Sequence, residues 1–345
     1  MPRVTITDVA DQAGVSKTAV SFAFNDPSRL PEATVQKILK VATELGYVPD
    51  PIARSLTLGR TGILGLLLPQ DIPTILENPF FIQFIRGIGR ACDSVGLSLL
   101  LAPPVKGSML KAVNGAIVDG FLVLGLEPQD PVVSILRQRH MPFVSVDCEP
   151  QEGVPCIRVD DHGGARAAME HGLRLGHRRV AIVAFESAKE GRWQDYTGTL
   201  RWRLTGYADA LAEVGLALGQ PGVQIVECEN SLEGAAKAFS QLWQQRERPT
   251  LVVAVSDVIA LGVLNAARQQ GLELPQDLSV IGYDDIPEAQ RAVPLLTTVR
   301  QPIVEKGERA AQLLVQILGG GQVAMHTLLP TALVVRESVA GPRAK

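Results

Sequence analysis

Cysteine is scarce in this chain. Cys92, Cys148, Cys156 and Cys228 lie far apart and form no C-x-x-C pair, which argues against a disulfide framework or a structural zinc. They are expected to be reduced and mostly buried. Long apolar runs are missing as well: Gly62–Pro69 and Gly120–Leu126 are strand-length and bounded by turn residues, whereas a bilayer span needs roughly 20 apolar residues. No membrane partner is expected. The start, Met1-Pro2-Arg3-Val4-Thr5, has neither the apolar core nor the small-residue cleavage site of a secretory signal, so the expected compartment is the cytoplasm. Charge of one sign is not in excess, with 33 Lys and Arg against 36 Asp and Glu for a net of −3. Residues 1–60 carry seven basic and six acidic residues, +1, which leaves −4 for the rest. Bulk charge therefore does not advertise a nucleic-acid partner.

Motifs for chemistry are equally sparse. No G-x-G-x-x-G follows the first strand-like run, and there is no Walker lysine and no Gly-x-Ser-x-Gly. His140, His162, His171, His177 and His326 lack H-E-x-x-H or cysteine-partner spacing. Asp160-Asp161 and Asp284-Asp285 are adjacent pairs, whose side chains usually point apart. No catalytic activity, cofactor or metal is expected. What is present, 345 residues with 46% hydrophobic content, is enough for two or three compact units with real cores.

Residues 1–48 read as short helices without a strand. Thr5-x-x-Asp8 has the form of a capping box and opens a helix through Ala13. Ala13-Gly14-Val15-Ser16 is a tight turn in which Gly14 is free to take positive φ and Ser16 can cap a second helix over residues 17–24. Val35, Ile38, Leu39, Ala42 and Leu45 recur at helical period, and Gly46 stops that third helix. Two helices around a glycine turn make a helix-turn-helix. Residues 49–60 form a linker, where Pro49 and Pro51 disfavour helix before them and Pro51 can open a helical turn after it.

From Gly62 onward strand-like runs recur at residues 63–68, 97–101, 121–124, 143–146, 179–184, 223–226, 251–255 and 278–282, with helical patterns between many of them. That alternation predicts parallel βαβ units covered on both faces. The fold class is therefore an all-α helix-turn-helix domain followed by a two-lobed α/β core with parallel sheets. One lobe is expected over about 61–159 and 291–320, the other over about 160–290 and 321–345.

The series Thr5-Ile6-x-Asp8-Val9-Ala10-x-x-Ala13-Gly14-Val15-Ser16-x-Thr18-Ala19-Val20-Ser21, then Asn25, resembles the DNA-binding signature of lactose repressor-type (LacI/GalR) transcription regulators. The resemblance continues along the chain through Leu45-Gly46-Tyr47-x-Pro49, Ala53-Arg54-Ser55-Leu56, Asn78-Pro79-Phe80-Phe81, Leu175-Gly176-His177-Arg178, Ser256-Asp257, Gly282-Tyr283-Asp284-Asp285 and Val335-Arg336-Glu337-Ser338. It implies an N-terminal reader of double-stranded operator DNA, a hinge helix and a core like periplasmic sugar-binding proteins. A recognition helix in the major groove would put Lys17, Thr18, Ser21 and Phe22 near base edges. Thr5, Ser16, Asn25 and Thr34 resemble phosphate-gripping positions, while helix capping is the plain alternative for Thr5 and Ser16. Position 22 departs from the family, where arginine is frequent; Phe22 either packs on a thymine methyl or turns into the core. At the hinge, Ala53 is small enough to let paired helices enter the minor groove, and Leu56 would wedge between base steps.

Ligands of open parallel sheets bind beyond the carboxyl ends of the strands. Asn78, Phe80, Asp147, Ser256 and Asp284 follow such ends, and Arg203 sits where the family places a cationic ligand contact. Arg and Asp across a cleft suit a hydroxylated effector such as a sugar or sugar derivative. Phe80, Phe81, Trp193 or Trp202 could supply a stacking face. Asp257 reads equally as a helix cap, and Phe81 as core. A nucleobase- or nucleoside-responsive regulator is the alternative, with a sugar-binding transport module behind it. A homodimer on a palindromic site is expected, since each hinge helix needs a partner and too little chain follows Glu337 for a tetramerising coiled coil.

Overall fold

The structure is a computed structural model that describes residues 4–50, 55, 59–186 and 193–343. The chain divides into two units, Met1–Gly62 and Ile63–Lys345. Ala53 and Leu56 of the hinge lie outside the described residues. Among the described residues no helix is long and apolar enough to cross a membrane.

The first unit is built from α1 (Ile6–Ala13), α2 (Lys17–Asn25) and α3 (Glu32–Leu45). At the start of α1 the Asp8 carboxylate accepts from both the backbone N–H and the hydroxyl of Thr5, each at 2.8 Å. Gly14 ends α1 with φ +66°, a left-handed conformation that releases the chain into the turn. The Ser16 hydroxyl then accepts from the Ala19 N–H at 3.1 Å, satisfying an otherwise orphaned donor of α2. Val9, Ala10, Ala13, Val20, Ala23, Val35, Ile38 and Ala42 close the small core, and Phe24 meets Tyr47 edge-on at 5.8 Å. Small residues at the centre let three short helices approach closely, which so small a core requires.

The second unit holds two sheets. The first joins β1 (Ile63–Leu67), β2 (Ser98–Ala102), β3 (Gly120–Leu124), β4 (Phe143–Val146), β5 (Cys156–Val159) and β11 (His326–Leu329) in the order β11-β5-β4-β3-β1-β2, all parallel. The second joins β6 (Val180–Phe185), β7 (Val223–Cys228), β8 (Leu251–Ala254), β9 (Ser279–Asp284), β10 (Thr297–Arg300) and β12 (Ala332–Val334) in the order β12-β10-β9-β8-β6-β7. Only β12 there runs antiparallel, against β10. The central strands β3 and β8 are apolar throughout because helices cover both faces. Cys92, Cys148, Cys156 and Cys228 are all buried and unbridged.

The two lobes interleave differently from the expected apportionment. Residues 297–300 were expected in the first lobe and 326–329 in the second; β10 instead pairs with β9, and β11 with β5. The reason is local. A short connection after β9 keeps the chain on its own sheet through β10, and only at Gln301-Pro302 does it cross to the first lobe. It crosses again between β11 and β12, beside the passage at Asp160: the Thr331 hydroxyl donates to the Asp160 carbonyl at 2.9 Å, and Asp160 N–H to the Leu329 carbonyl at 2.9 Å.

After the crossing at Gln301, the helix Ile303–Leu318 packs on the helix Pro79–Ser94 of the first lobe. Their approach is set by two glycines: a Cβ on Gly87 would fall 2.0 Å from the Val304 carbonyl oxygen, and one on Gly307 2.2 Å from that of Phe84. No other residue fits at either position without separating the helices.

Candidate functional site

In the first unit Lys17 and Thr18 are exposed on the first turn of α2, with Ser21 and Phe22 half-buried one turn on. The Asn25 side-chain amide donates to the Ser21 hydroxyl at 3.2 Å. Phe22 is neither sunk in the core nor bare, because the Arg29 guanidinium lies over its ring at 4.9 Å and is itself held by Asp26 at 2.8 Å. Thr5 and Ser16 both make capping contacts, and Thr34 is half-buried in the first turn of α3.

In the second unit a cleft of about 570 Å³ opens between the lobes, at the carboxyl ends of both sheets. Asn78, Phe80, Asp147, Arg203, Ser256 and Asp284 all line it. Several of these side chains are already engaged. Asn78 accepts from the Phe80 N–H at 3.0 Å and so opens the helix that carries both. The Ser256 hydroxyl accepts from the Ile259 N–H at 3.2 Å and donates to Asn230 Oδ1 at 2.7 Å. Of the stacking candidates, Phe80 and Phe81 line the cleft but Trp193 and Trp202 do not; the Trp202 ring is covered by the Arg158 guanidinium at 4.5 Å. Phe185, at the end of β6, takes their place.

The floor of the cleft is a chain of buried charges that runs from one lobe to the other. Arg203 is clamped by Asp161 at 2.8 Å through Nε, by the Val255 carbonyl through Nη1, and by the Tyr283 ring 3.6 Å below it. Its Nη2 lies 3.9 Å from Asp284. The Asp284 carboxylate accepts from the Gln301 amide at 2.6 Å, and Gln301 in turn accepts from the Lys306 ammonium at 2.8 Å. Lys306, fully buried, donates to Asp147 Oδ2 on the first lobe and stands 4.9 Å from the Phe80 ring centre. Such charges persist in a dry interior only when paired and hydrogen-bonded. Asp147 Oδ1 is buried without a hydrogen-bond partner among the described residues, which leaves it as an acceptor for a ligand hydroxyl. Asp147 and Asp284 both hold positive φ, 53° and 125°, conformations costly for non-glycine residues and concentrated at binding sites.

Asp161, Gln301 and Lys306 escaped sequence reasoning. A signal for Lys306 existed: it falls on the apolar face of its helix with Ile303, Ala310 and Leu314, where a lysine must be buried and therefore paired. Asp257 turns out to be a brace. Fully buried, it accepts from the Ile286 N–H at 2.9 Å and the Thr298 hydroxyl at 2.5 Å, while its neighbour Ser256 is the cap.

Burial pushes the Asp284 carboxyl up to about 6, with Arg203 pulling the other way. Burial, reinforced by Asp284, lifts Asp257 to about 8. Both exceed the unfolded value near ~3.9, so the folded chain holds extra protons between those limits. Their contribution to stability is full below the unfolded value and is lost as pH rises through about 6 and then about 8. Asp257→Asn can accept from the Ile286 N–H through its amide oxygen and donate its NH2 to a reversed Thr298 hydroxyl, so both contacts can be kept by a neutral side chain. Denaturant melts across pH should therefore show the part of the decline above pH ~6 missing from that variant; an unchanged profile would remove Asp257 as its source.

Residues 5–50 match the family described as bacterial regulatory proteins, lacI family, and residues 169–339 match a periplasmic binding protein-like domain. The chain is 33% identical to the HTH-type transcriptional repressor PurR of Erwinia tasmaniensis, over 98% of each protein. Among solved structures, the lac repressor dimer bound to operator and the anti-inducer ONPF aligns with a TM-score of 0.82 at 26% identity, over 98% of this chain and 100% of that one. A transcriptional regulator CelR–cellobiose complex aligns at 0.70 and 29% identity, over 98% and 100%.

Proposed function

The chain belongs to the lacI family of bacterial regulatory proteins and is a helix-turn-helix transcriptional regulator, and on that premise we propose that it represses transcription under control of a small hydroxylated ligand bound between its lobes. The observation that carries this reading is the buried chain Arg203–Asp284–Gln301–Lys306–Asp147, which ends in an acceptor facing the cleft and ties one lobe to the other. A ligand seated there touches both lobes, so its binding energy depends on the angle between them. Opposed carboxylates and a guanidinium favour hydroxyls, with Phe80 and Phe185 as faces for a sugar ring, and the similar CelR structure is a complex with cellobiose. Those same two rings also suit the flat face of a nucleobase or nucleoside, which is the second reading. The cleft residues hold and orient; no reaction is proposed for them.

Calorimetric titration of the full chain with a panel of sugars, polyols and purines tests this. One class should bind, and its affinity should change on adding operator DNA by the same factor, about 5- to 150-fold, by which it changes operator affinity. Release of DNA by the ligand is the expected direction. A panel member that binds with no effect on DNA affinity would leave a ligand-binding protein without the proposed switch.

DNA reading is proposed for Lys17, Thr18, Ser21 and Phe22 at base edges and for Thr5, Ser16, Asn25 and Thr34 at phosphates, by a homodimer on a roughly palindromic site. Ala53 and the Leu56 wedge rest on the family resemblance alone. Lys17→Ala should change which bases are selected, by about 1–3 kcal/mol at one position, whereas Asn25→Ala should weaken all sequences alike. Selection from a randomised operator library separates the two; identical selected sites for wild type and Lys17→Ala would exclude Lys17 from base reading.

A further inference from the structure

The second lobe carries a second cavity, of about 640 Å³, at the other pole of its sheet. Arg179 and Thr250, which line it, immediately precede β6 and β8, whereas the interlobe cleft lies beyond the carboxyl ends of the same strands. We infer that this cavity is a binding site for a phosphorylated small molecule, held by Arg179, Arg246 and Arg248.

Charge is the first argument. Three guanidiniums share the cavity, and none of them makes an ion pair among the described residues. The carboxylate in the lining, Asp277, is already consumed: Oδ1 accepts from Arg343 at 2.7 Å and Oδ2 from the Glu273 N–H at 2.8 Å. Like charges gathered in one concavity repel, and an anion offsets that repulsion. Guanidinium forks match phosphate oxygens two at a time, and a phosphate monoester offers three such oxygens to several guanidiniums where a carboxylate offers two.

Preorganisation is the second. Arg248 lies over the Trp243 ring at 4.8 Å, and that ring is in turn stacked on Phe239 at 5.4 Å. A guanidinium fixed in this way loses little rotamer freedom on binding. Arg246 stands two residues away in the same non-helical segment and Arg179 enters from the neighbouring strand end, so the cavity draws its cations from two separate parts of the chain. Size is the third. The cavity exceeds what one phosphate fills, falls within the range of small-molecule sites, and has apolar wall at Pro249 and Leu272 for an organic body. A concave pocket of this kind suits a compact ligand, where a nucleic-acid backbone would need an extended basic stripe.

The test uses the full chain, with thermal melts and intrinsic fluorescence recorded against sodium chloride of equal ionic strength. Glycerol 3-phosphate and inorganic pyrophosphate should each raise the melting midpoint saturably, the ester more than inorganic phosphate at equal concentration. The double variant Arg246→Gln/Arg248→Gln changes exposed side chains and should keep its fold and lose the shift. Trp243→Phe should remove the accompanying fluorescence change while the midpoint shift persists. Inorganic phosphate acting alone, with no effect of the ester, would overturn the organic ligand. So would a shift that survives in the double variant, or a double variant that loses only non-specific duplex DNA binding while neither small anion acts on wild type.

Discussion

Lys306→Met should destabilise the two-lobed unit by about 3–5 kcal/mol, the scale of breaking a buried ion pair by removing one partner. The methionine fills most of the volume of the lysine stem, so lost packing accounts for little of this. What remains is the Asp147 carboxylate without the ammonium that now bonds it, and Gln301 without its donor. For a unit of this size the melting midpoint should fall by roughly 10 °C. Adding Asp147→Asn to Lys306→Met should restore part of the loss, because the uncompensated charge is then gone. Denaturant unfolding of the single and double variants measures both quantities. A loss below about 1 kcal/mol, the worth of an exposed pair, would mean that the position needs the hydrocarbon stem and not the charge.

Asp284→Ala should have its largest effect on ligand response. Arg203 keeps Asp161 but loses its second carboxylate, and Gln301 loses its acceptor, so the cleft floor is left with donors that no longer converge on the ligand. Truncating one member of a buried, hydrogen-bonded charge pair costs about 2–5 kcal/mol of binding, which is at least ~30-fold in affinity. Operator binding without ligand should stay as in wild type. Operator titrations with and without ligand, on protein whose circular dichroism is unchanged, decide the matter. A variant that is folded but has lost ligand-free operator binding would make Asp284 part of the DNA-binding conformation and take the effector site elsewhere.

Much of the fold was written in short-range pattern. Gly14, Ser16 and Gly46 punctuate three helices because positive φ and orphaned amides are demands that few residue types meet. The apolar central strands were equally plain. The strands that were missed, β5, β10, β11 and β12, are three or four residues long, and all four lie beside the crossings between lobes. Arg300 and His326 there are exposed, and what fixes such a strand is its pairing partner far away in the chain. The cleft followed the same division. Residues placed by strand ends, such as Asp147 and Asp284, were legible. Asp161 and Gln301 were not, since their roles come from contacts across 42 and 17 residues of sequence, with Arg203 and with Asp284.

The interleaving of the lobes bears on how the protein comes off the ribosome. The helix-turn-helix unit is one contiguous stretch whose contacts are local, so it can fold soon after it emerges. Neither sheet has that freedom. The first lacks its edge strand until residues 326–329 are made, and the second until 332–334. Ser338, which accepts from the Thr297 N–H at 2.8 Å and donates to the Val280 carbonyl at 2.6 Å, comes later still. Until residues 326–338 are made, then, the nascent chain presents a folded helix-turn-helix unit joined to a core with open, pairable strand edges, exposed to any other chain that could pair with them.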